Sequence, residues 1–424
     1  MNKYIFNLKS VDVSFLLEFN ADSIDSYMEL LSIFYKPELK NNCIILQIKI
    51  LQMTEDVRQK YSAFCQQYAH KNKLLLKIKS SLDKIQLNKH FIIITKENFT
   101  TEEILFIQNI IQTMDYVDSD KERAKYFKEL QDKKEYVFGD LLKNYEINIF
   151  DSKQRLKIGE SDKNGRTCRF CGLRGKINFT KKAHAISEFL GFKNIVLNEE
   201  CDYCNKRFGD TIEQDLLEYL KPYISFFGIK GKNGNPHFKY NNGGSIKFDG
   251  NNTESLVRVI SKNIQIDKKE ETLICELESN QNICLANVYK TLCKYAMSVI
   301  NKKELQYFKQ TIEWITSKNS PEKLPKIAIF QSPINWGINL VIYTRSNNRQ
   351  DIPYMFCEFN IVCLKIVYIV PLSNANTKDF IGNEYDIFWK NLKHFQKIKN
   401  WQFKDFSLNK QIKIPTILKA VKEK

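Results

Sequence analysis

Two short cysteine pairs constrain this chain more than any other feature. Cys168-Arg169-Phe170-Cys171 and Cys201-Asp202-Tyr203-Cys204 stand 29 residues apart. Each pair places two thiolates on one side of a tight turn, and two such turns complete a tetrahedral set that suits Zn²⁺. Gly172, directly after the first pair, lets the backbone fold back. The other seven cysteines (Cys43, Cys65, Cys275, Cys284, Cys293, Cys357 and Cys363) are scattered, mostly in apolar patterns, and read as small core residues. A site closed by four thiolates has no open position, so this zinc is expected to be structural.

The rest of the chain is organised around that segment. Twelve of the fifteen glycines fall between Gly159 and Gly250, so the middle is turn-rich and the flanks hold longer regular elements. The expected parts are residues 1–150, a mixed α/β domain of unassigned role; 160–222, the cysteine module; 223–244, a Gly/Asn/Lys-rich linker; and 245–424, an α+β domain for target recognition or partner docking. In the first part, 43–51, 74–78 and 91–95 have the composition of strands, 101–114 has apolar residues at helical spacing, and 119–135 is a charged helix. In the last part, Leu285 to Ile300 shows an apolar stripe typical of an amphipathic helix, and a second helix is expected over 303–315. Short β-like runs at 326–330, 338–344, 353–359 and 361–370 predict an antiparallel sheet, and 379–399 is helical. The fold class is therefore α+β.

With 424 residues and 43% hydrophobic composition the chain is globular, not disordered. Its formal charge of +16 makes nucleic acid or an anionic membrane surface the expected partner class. The most apolar run, Ile361 to Val370, contains Lys365 and is far short of the ~20 residues that span a bilayer. With no signal-like N-terminus either, the expectation is a cytoplasmic protein whose cysteines are thiols or metal ligands.

Between the pairs lies Phe179-Thr180-Lys181-Lys182-Ala183-His184-Ala185-Ile186-Ser187-Glu188-Phe189-Leu190-Gly191. His184 ends a strand-like run. The next histidine is His237, so the spacing of a Cys₂His₂ finger is not met. His237 reads as a plain loop residue, and His70, His90 and His394 have no supporting constellation.

The order Cys-x-x-Cys, Ala-His-Ala-Ile-Ser-Glu-Phe-Leu-Gly, Asn-Glu-Glu-Cys-Asp-Tyr-Cys-Asn resembles the HNH endonuclease family, in its subclass with two zinc-binding cysteine pairs. The resemblance covers about residues 165–220. It implies a central ββα-metal module with a zinc knuckle and one catalytic divalent ion, Mg²⁺ or Mn²⁺. His184 matches the general base and Asn205 the last residue of the signature, a metal ligand in relatives. Asn198 matches the middle asparagine, with Asn194 as the alternative. Relatives often carry a metal ligand just before the base, where this chain has Ala183. Glu213 is the first choice to replace it, ahead of Asp210, Glu188 and Glu200.

Lys181, Lys182, Lys206 and Arg207 are expected to meet phosphates, among a crowd that includes Arg166, Arg169, Arg174, Lys176 and Lys193. Phe170, Phe179, Phe189, Phe192, Tyr203 and Phe208 read as the module's small core. The implied activity is phosphodiester hydrolysis, with DNA the expected substrate and restriction or anti-phage defence the role suggested by analogy. The competing readings are a zinc-module nucleic-acid reader without catalysis, and a nuclease subunit active only in a complex. The flanking domains are the expected surface for a protein partner or a second copy.

Overall fold

The computed structural model describes residues 2–421 apart from 22–23, 41–42, 71–72, 97–98, 100, 176, 231–233, 235–236, 241–242, 250–256, 262–263, 268–271, 280 and 333–336. The fold is mixed α+β, with two compact units, Met1–Leu142 and Lys143–Lys424. Among the described residues no helix is long and apolar enough to cross a membrane.

The first unit holds a four-stranded antiparallel sheet in the order Ser14–Ala21, Asn2–Ser10, His90–Ile94, Leu51–Gln52. Phe6, Leu8, Phe91 and Ile93 from this sheet pack with Leu30, Leu31, Tyr61, Ile78 and Leu82 from helices. The segment 74–78, expected as a strand, is instead the start of the helix Leu75–Leu82. Leu75, Ile78 and Leu82 repeat at three- and four-residue spacing, and all three are buried on one face, so the helical period wins over the local β-like composition. The stretch 43–51 is extended in pairs only at its ends, Cys43–Ile45 and Leu51–Gln52. The charged stretch forms the 25-residue helix Asp120–Asn144.

The second unit is built on a six-stranded antiparallel sheet. Its order is Gln402–Lys404, Ile327–Gln331, Leu364–Ile369, Met355–Ile361, Ile338–Arg345, Tyr145–Asp151. The four expected β-runs all enter this sheet. The sixth strand, Tyr145–Asp151, has no counterpart in the sequence expectation: it comes from the end of the first sequence part and pairs along Ile338–Arg345. Met355–Ile361 and Leu364–Ile369 are buried at every position, because both faces of the sheet are covered.

On one face lies the helix Leu285–Val299. Its sequence stripe predicts one wet side, yet nearly every residue is buried, Lys290 and Lys294 included. Tyr289 Oη donates to Ile369 O at 2.7 Å and Tyr368 Oη donates to Leu292 O at 2.8 Å, which ties the helix to the sheet. Its polar side meets other polar groups instead of water. Asn287 Nδ2 donates to Asp215 Oδ2 at 2.7 Å, and Lys290 Nζ donates to Ser317 O and Asn319 O at 2.8 and 3.0 Å. The cysteine segment packs from that side, so Cys168, Phe192, Phe208, Leu216, Leu292 and Phe359 belong to one hydrophobic cluster.

The segment 223–244 begins inside the helix Ile212–Phe226 and later contains the strand His237–Lys239, which pairs with Ser245–Phe248. Gly228 makes the bend between them at φ +62°, where an added Cβ would sit 2.5 Å from the Phe248 ring. His237 is exposed on that strand.

Candidate functional site

The four paired cysteines converge. One Sγ from each of Cys168, Cys171, Cys201 and Cys204 lies within 4.8 Å of the other three. The first pair sits on a hairpin: Thr167 bridges Arg174, Cys168 N donates to Leu173 O at 3.0 Å, and Gly172 turns the chain at φ +69°. The second pair opens the helix Asp202–Asp210, where Cys201 is the N-cap and its Sγ accepts from Cys204 N at 3.4 Å. Cys171 Sγ and Cys201 Sγ are 3.8 Å apart. Sulfurs bound tetrahedrally at about 2.3 Å from zinc stand roughly 3.8 Å from one another, so the spacing fits the ion.

Electrostatics agree. Cys168 accepts from Cys204 and from backbone N–H groups, which draws its thiol down to about 5 despite burial. The same pairing pushes Cys204 far up, because a second thiolate beside the first is unfavourable without a cation. The described residues thus hold a possible four-cysteine metal site, compatible with structural zinc.

The module is fastened to the helix Leu285–Val299. Arg169 Nε donates to Glu199 Oε2 at 3.0 Å with both side chains buried, and Arg169 Nη1 donates to Met297 O and Ile300 O at 3.2 and 2.8 Å. Lys302 Nζ meets the other Glu199 oxygen at 3.1 Å. Arg169, grouped by sequence with the basic residues available to substrate, is therefore an internal tie that satisfies the end of a helix. Breaking a buried pair of this kind costs roughly 3–5 kcal/mol.

His184 lies on a short antiparallel pairing. Ala185 N donates to Ile195 O at 3.0 Å, Leu197 N donates to Ala183 O at 2.9 Å, and His184 bridges Val196. The strand Ile195–Leu197 then leads through Asn198 to Cys201 and the helix Asp202–Asp210, which carries Asn205. A single-bridge pairing at His184, the strand Ile195–Leu197 and the helix Asp202–Asp210 follow in that order. Asn198 and Asn205 are half-buried, and Asn194 is exposed.

The imidazole is 17% exposed, with Nε2 at 3.4 Å from Glu188 Oε2. Glu188 begins a 3₁₀ turn capped by Ser187 and closed by Gly191 at φ +92°. The His184 Nδ1 is buried near the Phe192 carbonyl without a well-aligned hydrogen bond. Burial and the positive charge of Lys182 hold the imidazole below its usual 6.5, against the opposing pull of Glu188. It is therefore neutral near pH 7, as a general base must be.

The carboxylates divide differently from the sequence expectation. Glu213 Oε1 is 3.0 Å from Lys294 Nζ, and Glu200 Oε2 is 3.1 Å from the same nitrogen. Burial pushes Glu200 up to about 7, partly offset by Lys294. A divalent ion at Glu213 would have to displace an ammonium from two carboxylates. Among the described residues the four cysteines are the only cluster of three or more His, Cys, Asp or Glu ligands. The side chains described do not by themselves assemble a second, preformed ion site beside His184.

Lys181, Lys182 and Lys206 are exposed, while Arg207 is half-buried with its guanidinium 5.9 Å from the Phe208 ring centre. Lys176 lies outside the described residues. Phe170 and Phe208 meet edge-on at 4.9 Å in the module's core. Tyr203, expected there too, is 69% exposed, because helical geometry turns it away from the buried Cys204 and Phe208.

Sequence reasoning missed Lys294, Arg169 in its internal role, and a polar cluster under the sheet where Glu358 bonds Lys365, Asn360 and Tyr343. It also missed the His90–Asp115 pair, 2.8 Å apart in the first unit. Arg169, Lys294 and His90 have acidic partners at least 25 residues away in sequence, and Glu358, Asn360 and Lys365, though within seven residues of one another, meet only once their strands form and pair. Comparison of the chain with protein-family models, with curated proteins and with solved structures found no match.

Proposed function

We propose that this protein is an HNH-type nuclease that hydrolyses phosphodiester bonds, with DNA as substrate and His184 as general base. The observation that carries the reading is the pairing of 183–185 with 195–197, followed directly by a helix anchored in a four-cysteine cluster. That arrangement holds a neutral imidazole on a strand and a side-chain amide, Asn205, on the helix that follows.

In this reading a proton on Nδ1, beside the Phe192 carbonyl, leaves the Nε2 lone pair to take a proton from water, and Glu188 Oε2, 3.4 Å from Nε2, stabilises the imidazolium that forms. The water oxygen attacks phosphorus and the bond to the 3′ oxygen breaks, giving a 5′-phosphate and a 3′-hydroxyl. Lys181 and Lys182, both exposed beside His184 in sequence, would offset phosphate charge. Zinc would hold the module together and take no part in the reaction. A magnesium or manganese ion would supply further charge neutralisation, and such ions commonly keep several waters and lean on substrate phosphates.

Nicking of supercoiled plasmid in the presence of Mg²⁺ or Mn²⁺ tests the proposal. Cleavage is expected, and the acid limb of its pH profile should fall below pH 6.5, since the base is lost only when His184 protonates. Binding without cleavage under any divalent ion would instead favour a zinc-module reader, a reading supported by Ala183 and by the engagement of Glu213 with Lys294.

Affinity offers a separate check. Replacing Lys182 or Lys206 by alanine should weaken DNA binding across sequences and lower the salt slope of log K by about one for each phosphate left unneutralised. Equal slopes for parent and variants would remove these lysines from the interface.

A further inference from the structure

Two carboxylates that flank one helix reach the same nitrogen. Glu200 stands just before Cys201, the N-cap of Asp202–Asp210, and Glu213 lies in the first turn of the next helix, after a break at Thr211. Both meet Lys294 Nζ, at 3.1 and 3.0 Å, and Lys294 comes from the helix Leu285–Val299 far along the chain. We propose that Lys294 is a positioning residue for the His184–Asn205 site, clamping both ends of the helix that carries Asn205. The proposal rests on the nuclease reading.

Lys294 and Glu200 are fully enclosed and Glu213 nearly so, with side-chain exposures of 1%, 0% and 14%. The rings of Phe170, Phe208 and Tyr295 surround the ammonium at 5.9, 5.7 and 5.8 Å. The oxygens of Glu200 receive no well-aligned hydrogen bond, so the charge on Lys294 is what holds them. A buried ion pair contributes little net stability compared with apolar packing of the same volume, so the role assigned to Lys294 is to fix geometry, as such pairs do in some proteins. The cysteine cluster holds the N-terminal end of the Asp202–Asp210 helix through Cys201 and Cys204. Lys294 adds the second tether, beyond the C-terminal end, and so determines where Asn205 sits relative to the strand bearing His184. The charge of Lys294 also reaches His184 itself, alongside Lys182 on its own strand and Glu188 on the turn that follows.

The test uses the full chain with Lys294→Met, Lys294→Arg, Glu213→Gln and the neutral triple variant Glu200→Gln/Glu213→Gln/Lys294→Met. The readouts are kcat and KM on plasmid DNA, zinc per chain, and amide hydrogen exchange. A displacement of about 1 Å at a catalytic group costs on the order of 10²-fold in rate. Lys294→Met should therefore lose about 10²-fold in kcat at unchanged KM and zinc content, with Glu213→Gln showing a smaller loss and Lys294→Arg recovering part. Parental kcat in Lys294→Met overturns the proposal. So does a joint loss of zinc, folding and activity in every variant, since that pattern marks a purely structural pair. If the parent itself cuts nothing, the nuclease reading fails alone, and exchange decides the clamp: faster exchange confined to 202–210 in Lys294→Met supports it, and unchanged exchange there refutes it.

Discussion

Replacing His184 by alanine is expected to lower cleavage by about 10²- to 10⁴-fold, the usual contribution of a positioned general base. Folding should survive. The ring is only partly enclosed, and its strand pairing uses backbone groups that alanine keeps: Ala185 N to Ile195 O and Leu197 N to Ala183 O. Zinc content, thermal midpoint and DNA affinity should therefore match the parent while the rate collapses. His184→Gln would keep a hydrogen-bonding side chain without a titrating nitrogen, and should be as slow. A His184→Ala protein that cuts at the parental rate would remove His184 from the chemistry and leave the module as a scaffold.

The second large effect concerns the cluster of sulfurs. The protein should carry one zinc per chain, and Cys168→Ser or Cys204→Ser should lose most of it. Both thiols are buried in the same hydrophobic cluster as Leu292 and Phe359, so the damage should not stay local. Structural zinc in small domains contributes of order 10 kcal/mol, and one kcal/mol shifts the midpoint of a larger domain by about 2–4 °C. Even a fraction of that contribution predicts a fall in Tm of about 10 °C or more. Atomic absorption and a thermal scan with and without chelator check it. Parental stability with no metal bound would make the cysteines a packed thiol core and nothing more.

These expectations draw on the sequence in unequal parts. The cysteine pairs are legible because metal spacing is local: two residues between thiols, one turn each. The extended pairing at His184, which amounts to one bridge to Val196 and not a full strand, is legible only in part. What the sequence hides depends on distant partners. The stripe on Leu285–Val299 reads as amphipathic, and only the fold shows that its polar side faces Asp215, Glu213 and Glu200 instead of water. Glu213 has the composition of a metal ligand, but an ammonium some eighty residues later takes its oxygen. Tyr203 looks like core because it stands between two buried cysteines, yet one step along a helix rotates a side chain by about 100°. Leu74 to Ile78 reads as a strand because five residues are too few to separate a period of two from one of 3.6.

The pairing of Tyr145–Asp151 with Ile338–Arg345 has a consequence for how the protein is made. The earlier strand leaves the ribosome nearly two hundred residues before its neighbour exists. At roughly 5–20 residues per second, that is a wait of about 10–40 s. When Cys204 has been added, neither the helix Leu285–Val299 nor any other strand of the six-stranded sheet has yet been synthesised. A nascent chain of this kind spends nearly half of its synthesis with an unpaired, partly apolar edge exposed, so its yield in the cell should depend on chaperone capacity more than on the stability of the finished molecule.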